Sequence, residues 1–235
     1  MSGSIAVEQS SIPTRYERGT IWCQWVLANA MAELLGLGTS SLLWLWLIFS
    51  VERSQGVLFA AAIVVMGSSL LEGSAVSIGQ WLVLRRLLPY LRWQAWWLAT
   101  AAGALVAWTL GMIPSTIMSL AEETTTSTPP PEISEALMLG LAAIMGLVLG
   151  PLLALPQWVV LRRHVVQAGW WIPGNAAAWT LGMPVIFIGM GLIPTGDVTV
   201  VTIAIVLLSL AVAGAVVGMV HGVVLLWLFE QGNRS

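Results

Sequence analysis

Residues 80–86 read Gln-Trp-Leu-Val-Leu-Arg-Arg, and residues 157–163 read Gln-Trp-Val-Val-Leu-Arg-Arg. Each copy is followed by a tryptophan pair, Trp96-Trp97 or Trp170-Trp171, and then by an identical hexapeptide, Ala107-Trp-Thr-Leu-Gly-Met112 or Ala178-Trp-Thr-Leu-Gly-Met183. An ordered set of this kind does not arise twice by chance, and it marks a repeated helical unit. Fainter third copies extend it. His221-Gly-Val-Val-Leu225 lies on Gln157-Trp-Val-Val-Leu161, which brings Gly214 onto Gly150. Trp25, Asn29, Ala30, Ala32, Leu35 and Gly36 lie on Trp171, Asn175, Ala176, Ala178, Leu181 and Gly182. The expected architecture is all-α and integral to the membrane: six transmembrane helices as three tandem hairpins, about 21–86, 95–163 and 169–229.

Composition supports the membrane assignment independently. Of 235 residues, 58% are hydrophobic and 9% charged, where a soluble domain carries about 25% charged residues. The charges are arginines and carboxylates without any lysine, and they leave charge-free windows at 93–121, 136–161, 165–196 and 198–229. Each window can cross a ~30 Å hydrocarbon core as a helix of roughly 20 residues. A net charge of −2 supplies no basic field for nucleic acid. The single cysteine, Cys23, excludes an intrachain disulfide framework or a multi-cysteine metal site. Residues 1–20 are polar, so the first apolar segment begins too late and runs too long for a cleaved signal peptide. The reading is a cytoplasmic N-terminal segment, 1–20, and one membrane domain, 21–230, with spans near 21–49, 57–84, 95–120, 135–161, 169–194 and 198–229. Residues 121–134, with Glu122, Glu123, Glu132 and three consecutive prolines, read as an exposed acidic outer loop.

Arginine placement sets the orientation. Arg15 and Arg18, then Arg85, Arg86 and Arg92, then Arg162 and Arg163, then Arg234 fall on one side, leaving only Arg53 on the other. Both termini are therefore expected in the cytoplasm. Ten tryptophans (Trp22, Trp25, Trp81, Trp93, Trp96, Trp97, Trp158, Trp170, Trp171 and Trp227) fall at the same helix ends, as an aromatic belt of anchors and packing groups. A two-span unit returns to its starting side, so the copies are parallel and related by a pseudo-threefold axis along the membrane normal, unlike inverted-repeat transporters. Gly146 and Gly150, with Gly214, Gly218 and Gly222, suit close helix approach. Pro114, Pro151, Pro156 and Pro184 predict kinks.

The Gln-Trp-x-Val-Leu-Arg-Arg helix, the following Ala-Trp-Thr-Leu-Gly-Met helix, and Trp25-Val-Leu-Ala28 with Glu33-Leu-Leu-Gly36 resemble an uncharacterised group of bacterial multi-pass membrane proteins built from such hairpins. The resemblance spans about 22–230 and implies a location in the bacterial cytoplasmic (inner) membrane. It implies no reaction, substrate or catalytic residue. The third hairpin departs from the pattern in lacking the double arginine.

Function must reside in the polar groups within the spans, because an ionisable side chain in hydrocarbon costs a few kcal/mol and turns inward. Glu33 lies eight residues beyond Trp25, and Glu72 nine residues from Trp81, so both sit ~12–14 Å above the belt, near mid-bilayer. Facing each other in a low dielectric, they cannot both be charged, and a pair holding at least one proton could relay protons or bind a cation. Hydrogen bonding to freed backbone carbonyls is the structural alternative. His221 takes the place of Gln80 and Gln157 in the repeat and could ligate a haem or chlorophyll-type ring, or serve as a satisfied core histidine. Asn29, Asn175, Gln80 and Gln157 suit interhelical hydrogen bonding. Arg85, Arg86, Arg92, Arg162 and Arg163 set topology and are candidate contacts for anionic lipid headgroups.

No Walker loop, zinc-protease motif or nucleophile elbow occurs, which argues against an enzyme. The expected function is that of a non-enzymatic accessory or scaffold subunit packing against lipids or another membrane protein. The alternatives are a proton- or ion-linked carrier using Glu33 and Glu72, and a binder of a pigment, quinone or haem between helices. The topology predicts that a cysteine placed at Ser127, with Cys23 replaced, reacts with an impermeant thiol reagent added outside intact cells. Labelling only after the membrane is breached would reverse the orientation.

Overall fold

A computed structural model describes residues 15–50, 56–124, 134–194 and 198–232. Six long helices account for nearly all of them: α1 (Arg15–Ser50), α2 (Val57–Leu87), α3 (Trp93–Thr124), α4 (Glu135–Leu161), α5 (Trp171–Gly191) and α6 (Val200–Gly232). A 3₁₀ turn, Ala168–Trp170, leads into α5. All six helices are long and apolar enough to cross a membrane. Among the described residues there is no strand.

The distribution of side chains is inside-out relative to a water-soluble bundle. Leu70, Ile144, Leu208 and Val223 are among many large apolar side chains more than half exposed, whereas Asn29, Glu33, Gln80, Gln157, Asn175 and His221 are buried. In water so much apolar surface would drive aggregation; in hydrocarbon it is the face that dissolves, and the polar groups must find partners within the protein. The chain is a multi-pass membrane protein.

Each helix packs on its chain neighbours, and α6 packs on α1, while helices across the bundle make no comparable contact. The result is a closed ring of six around a central axis. Arg18 on α1 donates to Glu230 on α6 at the arginine-rich end, across the junction where the chain itself supplies no link. The connections at that end are short. Leu88–Arg92 joins α2 to α3, with the Leu91 amide donating to the Leu88 carbonyl and the Trp81 indole donating to the Leu91 carbonyl. At the far end, Ser134 caps α4 by accepting from the Leu137 amide, as the N-cap preference of serine dictates.

α1, α2, α3 and α6 run past an end of their expected spans, whereas α4 matches 135–161 and α5 falls short of 169–194. α3 continues through Thr124, so the first four residues of the expected 121–134 loop are helical; residues 125–133 lie outside the described residues. The reason is local: Ala121-Glu-Glu123 are good helix formers and polar enough to extend past the hydrocarbon. α1 begins at Arg15, within the segment read as a polar N-terminus, and residues 1–14 lie outside the described residues, as do Arg53, Asp197 and Arg234. Helical structure continues through Pro114, Pro151, Pro156 and Pro184.

One contact recurs three times around the ring. Gly73 of α2 lies against Ala101 of α3, Gly150 of α4 against Asn175 and Ala176 of α5, and Gly214 of α6 against Asn29 and Ala30 of α1. A Cβ at these glycines would stand 2.9 Å from the Ala101 Cα, 2.5 Å from the Asn175 carbonyl oxygen and 2.6 Å from the Asn29 carbonyl oxygen. The neighbour in each case is backbone, which cannot swing aside. Gly150→Ala should therefore destabilise the ring by about 1–3 kcal/mol through overpacking, read as a lower unfolding temperature in detergent. Gly140→Ala, where a Cβ meets open space, should instead stabilise it by roughly 0.5–1 kcal/mol. Equal effects at the two positions would remove the close-approach explanation.

Candidate functional site on the ring axis

The site is built from a repeated two-residue device. Trp25, Trp96 and Trp171 open the inward faces of α1, α3 and α5, and all three are fully buried. Trp171 stands between the others, with ring centroids 6.0 Å from Trp25 and 6.5 Å from Trp96. One helical turn on, a polar side chain bonds back to each tryptophan's carbonyl: Asn29 Nδ2 to Trp25 O at 2.8 Å, Thr100 Oγ1 to Trp96 O at 2.9 Å, and Asn175 Nδ2 to Trp171 O at 2.8 Å. These bonds fix the side chains at the axis, because spacing of four residues keeps both groups on one helix face.

The even-numbered helices present Gln80, Gln157 and His221 to this layer. Gln80 Nε2 donates to Asn29 Oδ1 at 3.0 Å. Gln157 Nε2 donates to Thr100 Oγ1 at 3.0 Å and to Gln80 Oε1 at 3.3 Å, and its Oε1 accepts from Trp171 Nε1 at 2.9 Å. His221 lies 5.0 Å from Trp171, ring to ring, and neither imidazole nitrogen has a hydrogen-bond partner among the described residues.

Farther from the arginine-rich end sit the two carboxylates, both buried. Gly36 brings α1 against Glu72, where a Cβ would approach the Glu72 Cα to 2.7 Å. Trp108 Nε1 donates to Glu72 Oε2. Glu33 Oε2 is buried without a partner among the described residues. Both carboxylates, together with Asn29, Gln80, Gln157, Asn175 and His221, line one cavity of about 30 Å³ on the axis. The structure thus brings all seven polar residues singled out from the spans to a single place. A cavity needs about 10–15 Å³ to hold a water molecule, so this one has room for one or two water-sized guests.

The arginines lie elsewhere. Arg85 and Arg162 stack on the tryptophan one turn earlier in each copy, Trp81 at 5.1 Å and Trp158 at 4.9 Å, consistent with cation–π attraction. Arg86 Nη1 donates to Gln24 Oε1 at 2.8 Å, and Arg92 and Arg163 are exposed near the connections.

Sequence reading missed two participants, Thr100 and Trp108. Thr100 was masked because threonine is unremarkable in an apolar helix; the spacing Trp-x-x-x-Asn at 25–29 and 171–175, matched by Trp-x-x-x-Thr at 96–100, was the available signal. Trp96, which begins this spacing, is buried, whereas its neighbour Trp97 donates its indole N–H to Ser74 Oγ at 2.9 Å. Trp108, the partner of Glu72, carried no distinguishing mark beyond its place in the repeated hexapeptide. Of the ten belt tryptophans, Trp25, Trp96 and Trp171 occupy the ring's interior rather than the lipid interface, because their helix face turns toward the axis.

Comparison with known protein families, curated proteins and solved structures finds no match. The argument for function rests on the site. Gln157→Leu removes the hub of the amide network and orphans Trp171 Nε1, and it should cost about 1–2 kcal/mol, at the upper end for interhelical hydrogen bonds in membranes. Thermal unfolding in detergent checks this, and a variant as stable as the parent would show that the network contributes nothing to holding the helices.

Proposed function

We propose that this is a non-enzymatic membrane protein whose ring axis binds a proton or a single small cation and passes it between the two sides. The observation that carries the reading is the set of unpartnered acceptors at the cavity. Glu33 Oε2 and the imidazole of His221 are buried without partners among the described residues, and Glu72 shares the same wall. A neutral imidazole leaves one acceptor and one N–H donor open, and the Glu33 oxygen is a further acceptor, so the open groups are mainly acceptors, which a proton-bearing or positively charged guest would meet. Intramembrane ionisable groups that face a bundle interior are the usual markers of proton and ion pathways. Size weighs against a pigment, quinone or haem at the axis, since sites for such ligands occupy ~300 Å³ or more.

In this reading the chain consists of three parallel hairpins about a pseudo-threefold axis along the membrane normal. Its support is the threefold recurrence of the glycine contact and of the tryptophan with its back-bonded polar residue. The arginine asymmetry places both termini in the cytoplasm, and the repeat resemblance suggests a bacterial inner membrane. A second reading, an accessory or scaffold subunit that uses the axis as helix glue, is favoured by the mutual saturation of Asn29, Gln80 and Gln157.

Flux measurement separates the two. Purified protein in liposomes enclosing a pH-sensitive dye should dissipate an imposed proton or cation gradient faster than protein-free liposomes. Glu33→Gln and Glu72→Gln should each slow that flux by tenfold or more while the protein still folds. Unchanged flux in both variants, or none above the empty liposomes, sinks the carrier reading and leaves the scaffold.

A further inference from the structure

A second concavity lies on the outer face of the first helix pair, away from the axis. It has a volume of about 430 Å³ between α1 and α2. Its floor is made of small residues, Ala28, Ala32, Ala75 and Gly79, and its rims of large exposed ones such as Leu27, Leu35 and Ile78. Its one polar end is the pair Gln24 and Arg86, with Arg86 exposed. From Gln24 to Leu35 is eleven residues of helix, ~16 Å at 1.5 Å per residue. That is about half of a ~30 Å hydrocarbon core. The groove is therefore one leaflet deep, apolar along its length and cationic at the end that meets the headgroups.

The comparable register of the α5/α6 pair is built differently. Gln24 stands one residue before Trp25, and Arg86 six residues after Gln80. The positions one before Trp171 and six after His221 hold Trp170 and Trp227, which stack edge to face at 5.8 Å. An aromatic pair occupies the mouth in that hairpin, whereas in the first hairpin a guanidinium and an amide are presented instead. The difference in chemistry at a matched position is what a ligand with a charged head and an apolar tail requires.

We infer that the α1/α2 groove holds one anionic phospholipid of the leaflet on the arginine-rich side, with an acyl chain along Ala28, Ala32, Ala75 and Gly79 and its phosphate on Arg86. The guanidinium is the appropriate donor, since its planar fork matches a phosphate and remains charged. Gln24 accepts from one guanidinium nitrogen at 2.8 Å and so holds the fork at the groove mouth. The chain fits because small residues in the floor leave a furrow that lipid-facing leucines at the same places would fill. The inference is independent of the axial site.

The test is native mass spectrometry of the full-length protein in detergent, titrated with phosphatidylglycerol or phosphatidylcholine. Wild-type protein should retain one phosphatidylglycerol in preference to phosphatidylcholine. Arg86→Gln should lower phosphatidylglycerol retention about fivefold, the weight of one basic residue near an anionic surface, and leave phosphatidylcholine retention as it was. Ala75→Leu, which fills the furrow, should lower both, and Gln94→Ala, at an exposed position outside the groove, should lower neither. If Ala75→Leu does not elute as a single folded species, Ile78→Phe at an exposed lining position takes its place. Wild-type preference surviving in Arg86→Gln, or undiminished binding of both lipids after the furrow is filled, would overturn the assignment.

Discussion

Gln157 joins more of this protein than any other side chain on the axis. Its amide reaches Gln80 on α2, Thr100 on α3 and the indole of Trp171 on α5 while the residue itself sits on α4. In water such bonds would be exchanged for bonds to solvent with little net gain. Between helices in hydrocarbon there is no such exchange, and a polar side chain that fails to find a protein partner leaves its group unsatisfied. The six helices therefore have to be close, and correctly rotated, at the depth of this layer. Gly73, Gly150 and Gly214 lie seven residues before Gln80, Gln157 and His221, and they permit that proximity by removing the side chain where backbones meet.

The layer is not uniform, and its irregularity is where chemistry can occur. Two of the three even-numbered helices supply a glutamine, whose amide both donates and accepts and so closes the network. The third supplies a histidine, stacked on Trp171 and bonded to nothing described. Glu33 likewise leaves an oxygen unpartnered, whereas Glu72 is held by Trp108. One part of the axis is tied by complementary amides and the other carries open polar atoms, around a cavity with room for one or two water-sized guests.

Much of this was legible in the sequence because lipid makes polar residues expensive. Glu33, Glu72 and His221 stood out as the ionisable groups of otherwise apolar spans, and depth counted from Trp25 and Trp81 placed the two carboxylates at one level. Helix existence followed from charge-free windows of sufficient length. What could not be read was azimuth and closure. A serine, threonine or tryptophan is admissible on either face of a membrane helix, so Thr100 looked like its neighbours and Trp96 like Trp97 until the rotation of α3 was known. The packing of α6 on α1 depends on Gly214 meeting the backbone of Asn29 and Ala30, a contact between residues nearly the whole chain apart. The extra turns at Arg15 and Thr124 were missed because hydrophobicity marks where a helix must be and gives no reason for it to stop at the headgroups.

The junction between α6 and α1 differs from the other five in having no peptide link, yet it packs as they do and is spanned by the Arg18–Glu230 ion pair. The order of the helices around the axis is thus independent of where the polypeptide happens to be cut. Joining the present ends by a linker and opening the chain at Leu88–Arg92 would yield a polypeptide that starts with α3 and finishes with α2 around the same axis. Such a ring has a cyclic order but no intrinsic first member, since each helix packs on two neighbours.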